Sequence, residues 1–508
     1  MLDATEVWHA HTFDSFEQAG PSVLVLGAGI SGLVTACELE ALGYRVEVLE
    51  GNTRIGGRIH THRFGPGPGA PFAELGAMRI PAHHHRTLEY IHRTGLDEKL
   101  RTFRTLLSEE NAFLRTGPGF LRIRDAAGPL GENFRRELEQ HLPGHHYDDG
   151  TVVFGAWLTA IVDAVAPPDL RAELREDLRR QLLDLVARTD VSAHLRGSAG
   201  DRVDLQAVFA AHPWLRTGCS ARLNSFLDDI LTETGPALLR LEGGMDQLPQ
   251  RLAARLRGPL RLGHRVTGVE VHGDHVLVRA RTGTRSVVRR ADFAVCTLPF
   301  PAVRRLRLRG LDPDKLSVLA EVDYCPATKV AVHCREPFWW QHGIRGGASF
   351  TGGRIRQTYY PPVEGDTGRG AALLASYTIG EEADLMGRLP ERRRHRLVLR
   401  ELAALHPELL APGMVLDVVS VAWDRAPWAW GGCTTRWGKG PEQCEEEIRR
   451  ASRPCGRMFF AGEHCSSAPA WIEGAVESAL RAVEEVGAYV PGRRPPAVTG
   501  RANPAGAL

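Results

Sequence analysis

The order of apolar and polar positions predicts a layered α/β chain. Val23 to Leu26 is a short, β-branched apolar run, the pattern of a strand buried on both faces of a parallel sheet. Apolar residues then recur at helical spacing (Leu33, Ala36, Leu39, Leu42) until Gly43 stops them. Arg45 to Leu49 predicts a second strand that ends at Glu50, and Arg265 to Val271 reads as another. From about Asn133 to Asp229 the pattern is helical, with Glu and Arg three and four residues apart, the spacing of exposed helix faces. The run Arg392 to Arg396 leads an apolar periodic segment and predicts a helix with a solvated basic face. Near the end, Arg457 to Glu463 predicts a strand closing in Gly-Glu, and a helix opens at Trp471; the Pro/Gly/Arg tail, 491–508, is expected to be disordered.

The turn between the first strand and helix is Gly27-Ala28-Gly29-Ile30-Ser31-Gly32. Three glycines at this spacing give a tight turn, close backbone approach to a pyrophosphate, and close packing of helix on strand. The helix start presents free N–H groups and a positive dipole end to the phosphates. Glu50, at the end of the second strand, is placed to accept hydrogen bonds from a ribose. A Gly-rich turn without a ligand is the alternative. Gly56-Gly57-Arg58 follows, which a plain nicotinamide fold does not need; paired glycines and a guanidinium suit a pyrophosphate and point to FAD rather than NAD.

Composition narrows the setting. A chain of 508 residues exceeds one core, so two or three domains are expected. A net charge of +2 gives no case for nucleic acid or an anionic membrane as partner. Nine scattered cysteines without a CxxC pair, no apolar run long enough for a membrane span, and no basic–apolar leader together point to the cytoplasm. Lysine occurs only at positions 99, 315, 329 and 439 among 63 basic residues, and Lys329 sits in an apolar strand pattern. Only lysine readily loses its proton when desolvated, which singles out Lys329; a lysine whose head snorkels to water is the alternative. His83, His84 and His85 point about 100° apart on a helix and cannot converge on one ion, so no metal is expected.

The fingerprint, the Gly-Gly-Arg and the stretch Gly76-Ala77-Met78-Arg79-Ile80-Pro81 resemble the flavin amine oxidases, and within them the L-amino acid oxidases. Resemblance runs in blocks over nearly the whole chain. It implies a Rossmann-type FAD-binding domain from segments 21–66, 236–320 and 440–490, with Ala294 to Pro299 as its return strand. It further implies a mixed-sheet substrate domain from 67–130 and 321–439, and an all-helical insertion, 131–235. Carried over by position, the FAD contacts are Gly27, Gly29, Ile30, Ser31, Gly32, Glu50, Gly57, Arg58, Gly76, Ala77, Met78, Arg79, Val266, Gly462, Glu463, Trp471 and Ile472. Arg79 and Tyr377 are implied to hold a substrate carboxylate, Trp471 and Ala470 to line the amine site, and Lys329 to hold a water at the flavin. The family commonly dimerises, so a homodimer is expected.

The loop Ala422 to Lys439 holds four of the ten tryptophans and departs from the amino acid oxidase pattern. Its Gly431-Gly432-Cys433 resembles the site of a cysteinyl flavin link in monoamine oxidases, against the alternative of a small buried thiol. The tryptophans mildly favour an aromatic or large apolar substrate. The expected reaction is hydride transfer from the α-carbon of an L-amino acid to flavin N5, with O2 as the second substrate, yielding a 2-oxo acid, ammonia and H2O2. The rivals are an amino acid 2-monooxygenase, an oxidase of amines lacking a carboxylate, and a non-catalytic flavoprotein scaffold.

Overall fold

The computed structural model describes residues 20–489 apart from 106, 117–118, 145–146, 184–185, 187, 198–199 and 236, so the tail expected to be disordered lies outside the described residues. A five-stranded parallel sheet organises the first half of the fold, in the order Leu260–Arg261, Arg45–Leu49, Ser22–Leu26, Phe293–Cys296, Met458–Phe460. Its strands come from three separated stretches of chain. The central strands are almost wholly buried, as their unbroken apolar runs require. Helices Ile30–Ala41 and Ile472–Gly487 pack together over one face of this sheet. A three-stranded meander with a fourth, parallel strand at Arg307–Arg309 stands beside it.

The other half is a seven-stranded mixed sheet, ordered Val415–Ala422, Ala327–Cys334, Ala371–Ile379, Gln357–Tyr359, Ala348–Phe350, Phe113–Thr116, Gly119–Arg122. Leu238–Leu241 pairs with both Ile80–Pro81 and Leu100–Thr102, tying the two halves together behind the expected substrate region.

The insertion departs from expectation in one way: it is not all-helical, because a short hairpin, Leu195–Arg196 with Arg202–Val203, interrupts its helices. Phe154, Trp157 and Phe226 from its helices share one apolar core with Val330, Phe350 and Tyr359 of the seven-stranded sheet. The basic face of helix Glu391–Ala403 needs a similar correction. Arg394 is buried there and caps the preceding helix end through the Met386 and Gly387 carbonyls, while also donating to Ser420 Oγ.

Candidate active site

A cleft of about 650 Å³ runs between the two halves. Its floor is the turn after the first strand. Gly27 has φ +108°, and a Cβ on Gly32 would come 2.0 Å from the Gly27 carbonyl oxygen, so helix and turn can close up only without one. Gly29, by contrast, faces open space. Helix Ile30–Ala41 starts there with no side chain capping its first N–H groups. Ser31 Oγ, buried against the cleft, has no hydrogen-bond partner. Glu50 lies on the cleft wall, where the Ala28 and Asn52 N–H groups hold its carboxylate (2.7 Å each). An open glycine at an uncapped helix start, a free hydroxyl and a terminal acid fit the pyrophosphate and ribose of a dinucleotide.

At the other end of the cleft, Arg58 Nη1 donates to Glu463 at 2.7 Å and to the Gly432 carbonyl. Burial alone would raise the Glu463 carboxyl, but Arg58 holds it below its usual range. Glu463 also receives the N–H groups of Thr434 and Ala470, which fixes the strand-end acid against the Cys433 loop. Ala470 has φ +67°, a left-handed conformation that costs a residue bearing a Cβ. Trp471 then caps helix Ile472–Gly487, whose N-terminus faces the cleft.

Lys329 lies on the buried strand Ala327–Cys334, where a register shift just after it, between Val330 and Ala331, re-aims the strand. Its Nζ donates to the Gly76 carbonyl at 2.7 Å and sits 4.7 Å from the centre of the Tyr377 ring. Burial, reinforced by the Arg79 charge, pushes its ammonium down to about 7. Lys329, Tyr377, Ala470, Trp471 and Cys433 all line the cleft, as do Gly27, Gly57, Gly76, Ala77, Val266, Gly462 and Ile472. Gly32, Met78 and Arg79 do not. Gly32 serves packing, and Met78 Sδ lies 3.4 Å from Lys329 Nζ.

Arg79 is buried behind the cleft lining. It donates to Tyr359 Oη at 3.1 Å, its Cζ lies 5.8 Å from the Trp471 ring, and it forms an ion pair with Glu233. Tyr359, not Tyr377, is thus the phenol bonded to the expected clamp. Tyr377 stands close enough for the Arg79 charge to act on its hydroxyl.

Glu233 and Asp229 come from insertion helix Ala221–Thr234, and the sequence reading missed both. Asp229 accepts the Trp437 indole N–H at 2.9 Å, and burial pushes its carboxyl up to about 7. The signal was present: Phe226, Asp229, Ile230 and Glu233 share one helix face, so two acids sit in an apolar stripe. Glu74 was also missed; burial pushes its carboxyl up to about 7 while Thr61 and the Met245 N–H bind it.

The tryptophan-rich loop takes the other course open to it, facing the cofactor end of the cleft and the core. Trp428 packs on Gly51, beside Glu50, with Arg265 over its ring. Trp430 lies under Arg305, and Trp423 donates to the Leu75 carbonyl. These three indoles pack against Gly51, Arg305 and Leu75, so the case for an aromatic substrate does not rest on them. Cys433 lies on the cleft wall, and burial raises its thiol well above the ordinary range. All nine cysteines are free thiols. Among the described residues no helix is long and apolar enough to cross a membrane.

Comparison with known proteins agrees with this geometry. The family model "Flavin containing amine oxidoreductase" matches residues 30–487. The flavin-dependent L-tryptophan oxidase RebO of Lentzea aerocolonigenes is 56% identical over 91% of this chain and 97% of its own length. An L-amino-acid oxidase of Mus musculus is 31% identical over 91% of this chain and 70% of its own. A solved structure of putrescine oxidase, redesigned in its cofactor binding, superposes with a TM-score of 0.61 at 20% identity, over 92% of this chain and 98% of that one, which shows the shared fold. The chain belongs to the flavin-containing amine oxidoreductases and is an FAD-dependent oxidoreductase.

Proposed function

We propose that this chain, an FAD-dependent L-amino acid oxidase, takes L-tryptophan or a closely related aromatic amino acid as its substrate. One observation carries the amino acid reading: a buried guanidinium, Arg79, backed by the Tyr359 and Tyr377 hydroxyls, stands beside the Trp471 wall of the cleft. A guanidinium bonded to one phenol and close to a second suits a carboxylate, which simple amines lack. The preference for tryptophan rests on the tryptophan oxidase relative, which matches 91% of the chain.

The residues divide the work. Gly27, Gly29, Ile30, Ser31, Glu50, Gly57, Arg58, Val266 and Glu463 would hold FAD, with the N-terminus of helix Ile472–Gly487 favouring negative charge at its end of the cleft. When bound, FAD supplies the two-electron acceptor for the α-C–H hydride and passes the electrons to O2, giving H2O2. Arg79, Tyr359 and Tyr377 fix the carboxylate, and Trp471 and Ala470 bound the space for the amine; positioning is the main catalytic contribution. Lys329 holds and polarises a water at its Nζ, and the Tyr377 ring covers that ammonium. No side chain need remove the α-proton. A homodimer in the cytoplasm completes the reading, in keeping with the family resemblance and nine free thiols. Product analysis tests the outcome: equimolar indole-3-pyruvate, ammonia and peroxide support an oxidase, whereas an amide with loss of CO2 would make it a monooxygenase.

A further inference from the structure

Away from the cleft, two turns of the substrate domain bring together three metal-binding side chains. His342 ends the turn Phe338–His342, and His406 and Glu408 flank Pro407 at the start of the turn Pro407–Leu410. One donor atom from each lies within 4.8 Å of the other two. None of the three lines the cofactor cleft.

The donor set carries unfilled valences. His406 is 0% exposed, and its Nε2 is committed to Tyr360 Oη at 2.7 Å, itself 2.7 Å from Ser349 Oγ. Its Nδ1 has no partner. Glu408 Oε1 receives His342 Nε2 at 2.6 Å, while Glu408 Oε2 is buried and has no partner. A native interior seldom leaves such atoms unsatisfied, because each costs about 1–3 kcal/mol. An imidazole whose far nitrogen is fixed by a hydrogen bond is the usual setting of a metal-bound histidine, since that bond sets the tautomer and aims the lone pair. Here Tyr360 supplies it. Arg122, whose charge acts on His406, is engaged elsewhere, with its guanidinium 3.9 Å from the centre of the Phe113 ring and bonded to the Asn111 carbonyl.

We propose that His342, His406 and Glu408 form a binding site for a divalent transition metal, with zinc the best match. Two imidazoles and one carboxylate suit zinc's tetrahedral preference better than they suit calcium or magnesium, which take oxygen ligands. His406 binds through Nδ1 and Glu408 through Oε2, and His342 gives up its hydrogen bond to Glu408 to supply the third donor. His342 and Glu408 are about a quarter exposed, which leaves the fourth position to water and gives the ion a way in. The ion would clamp the turn after helix Glu391–Ala403 to the turn beside Trp339, bracing the back of the substrate domain. It takes no part in the oxidation.

The test uses the flavin-loaded enzyme, stripped with a chelator and titrated with ZnSO4 by calorimetry, with the same titration on Glu408→Gln and His342→Ala. Both replaced side chains are partly exposed, so these variants spare the buried His406; intact flavin absorbance and kcat verify their folding. The expected result is one zinc per chain in the wild type and binding weakened more than about a hundredfold in each variant, beyond the usual cost of losing an outer partner. Absence of stoichiometric binding in the wild type would overturn the proposal. Unchanged affinity in the two variants would do the same, since it would place the ion elsewhere.

Discussion

The Arg79 guanidinium, the expected clamp for a substrate carboxylate, is already bonded to a carboxylate of the protein itself, that of Glu233. Glu233 arrives on a helix of the insertion, and its second oxygen, Oε2, is buried without a partner. Its carboxylate already holds the guanidinium that an α-carboxylate would need. A substrate must therefore displace it or share Arg79 with it. Glu233→Gln removes the competing charge while keeping the shape. The expected result is a KM for the amino acid lowered about tenfold, worth about 1.4 kcal/mol, with kcat little changed. A raised KM would show that Glu233 helps to bind the substrate.

The same pair governs stability. Both partners are largely buried, so Arg79→Met leaves the Glu233 charge unpaired and is expected to destabilise the flavin-loaded protein by about 3–5 kcal/mol. Adding Glu233→Gln should restore much of that loss, because neither charge then remains. Denaturant unfolding of the two single variants and the double variant provides the measurement; strict additivity would mean that the pair is not coupled.

Lys329 links the site to pH. Its ammonium is held at about 7 against an ordinary value of 10.5, so the folded protein binds fewer protons than the unfolded chain between those values. Its burial therefore destabilises the fold below pH 7, and that penalty fades as pH rises from about 7 towards 10.5. If the cation is what assists the reaction with oxygen, kcat/KM for O2 falls as pH rises through about 7. Lys329→Met should slow that half-reaction by about 10²-fold or more and flatten the profile. A variant that keeps the wild-type slope would assign the titration to Glu74 or Asp229, both also near 7.

Cys433 offers a sharp two-way result. Desolvation raises its thiol well above the ordinary range, so the reactive thiolate is scarce, and FAD is expected to be released in full to the supernatant on acid precipitation. Yellow colour retained in the washed pellet, and lost in Cys433→Ala, would establish a covalent link.

How much of this was legible beforehand depended on the range of each signal. The dinucleotide turn is local: strand, glycines, helix and Glu50 are contiguous, so periodicity and turn chemistry suffice to read it. Lys329 was legible because the chain is so poor in lysine. The same argument passed over Lys315, which is equally buried but spends its ammonium on the Arg450 and Ala451 carbonyls. Glu233 and Asp229 were hidden because they close a long segment whose other helices are rich in Glu and Arg and read as solvated, until the apolar stripe of their own helix is seen to carry the acids. Tyr359 reaches Arg79 across 280 positions, a contact no local pattern contains. The tryptophans were ambiguous for a related reason. Composition said how many aromatic rings were near the site but not which end of the cleft they served.

The central claim is that Arg79 selects an α-carboxylate on an aromatic amine. Anaerobic mixing of the flavin-loaded enzyme with L-tryptophan, and separately with tryptamine, tests it most directly, because the two differ only in that carboxylate. Rapid bleaching of the oxidised flavin by L-tryptophan, and bleaching slower by about 10²-fold or more with tryptamine, is the predicted result. Equal rates, or bleaching by tryptamine alone, would contradict the account and leave Arg79 as no more than a partner for Glu233.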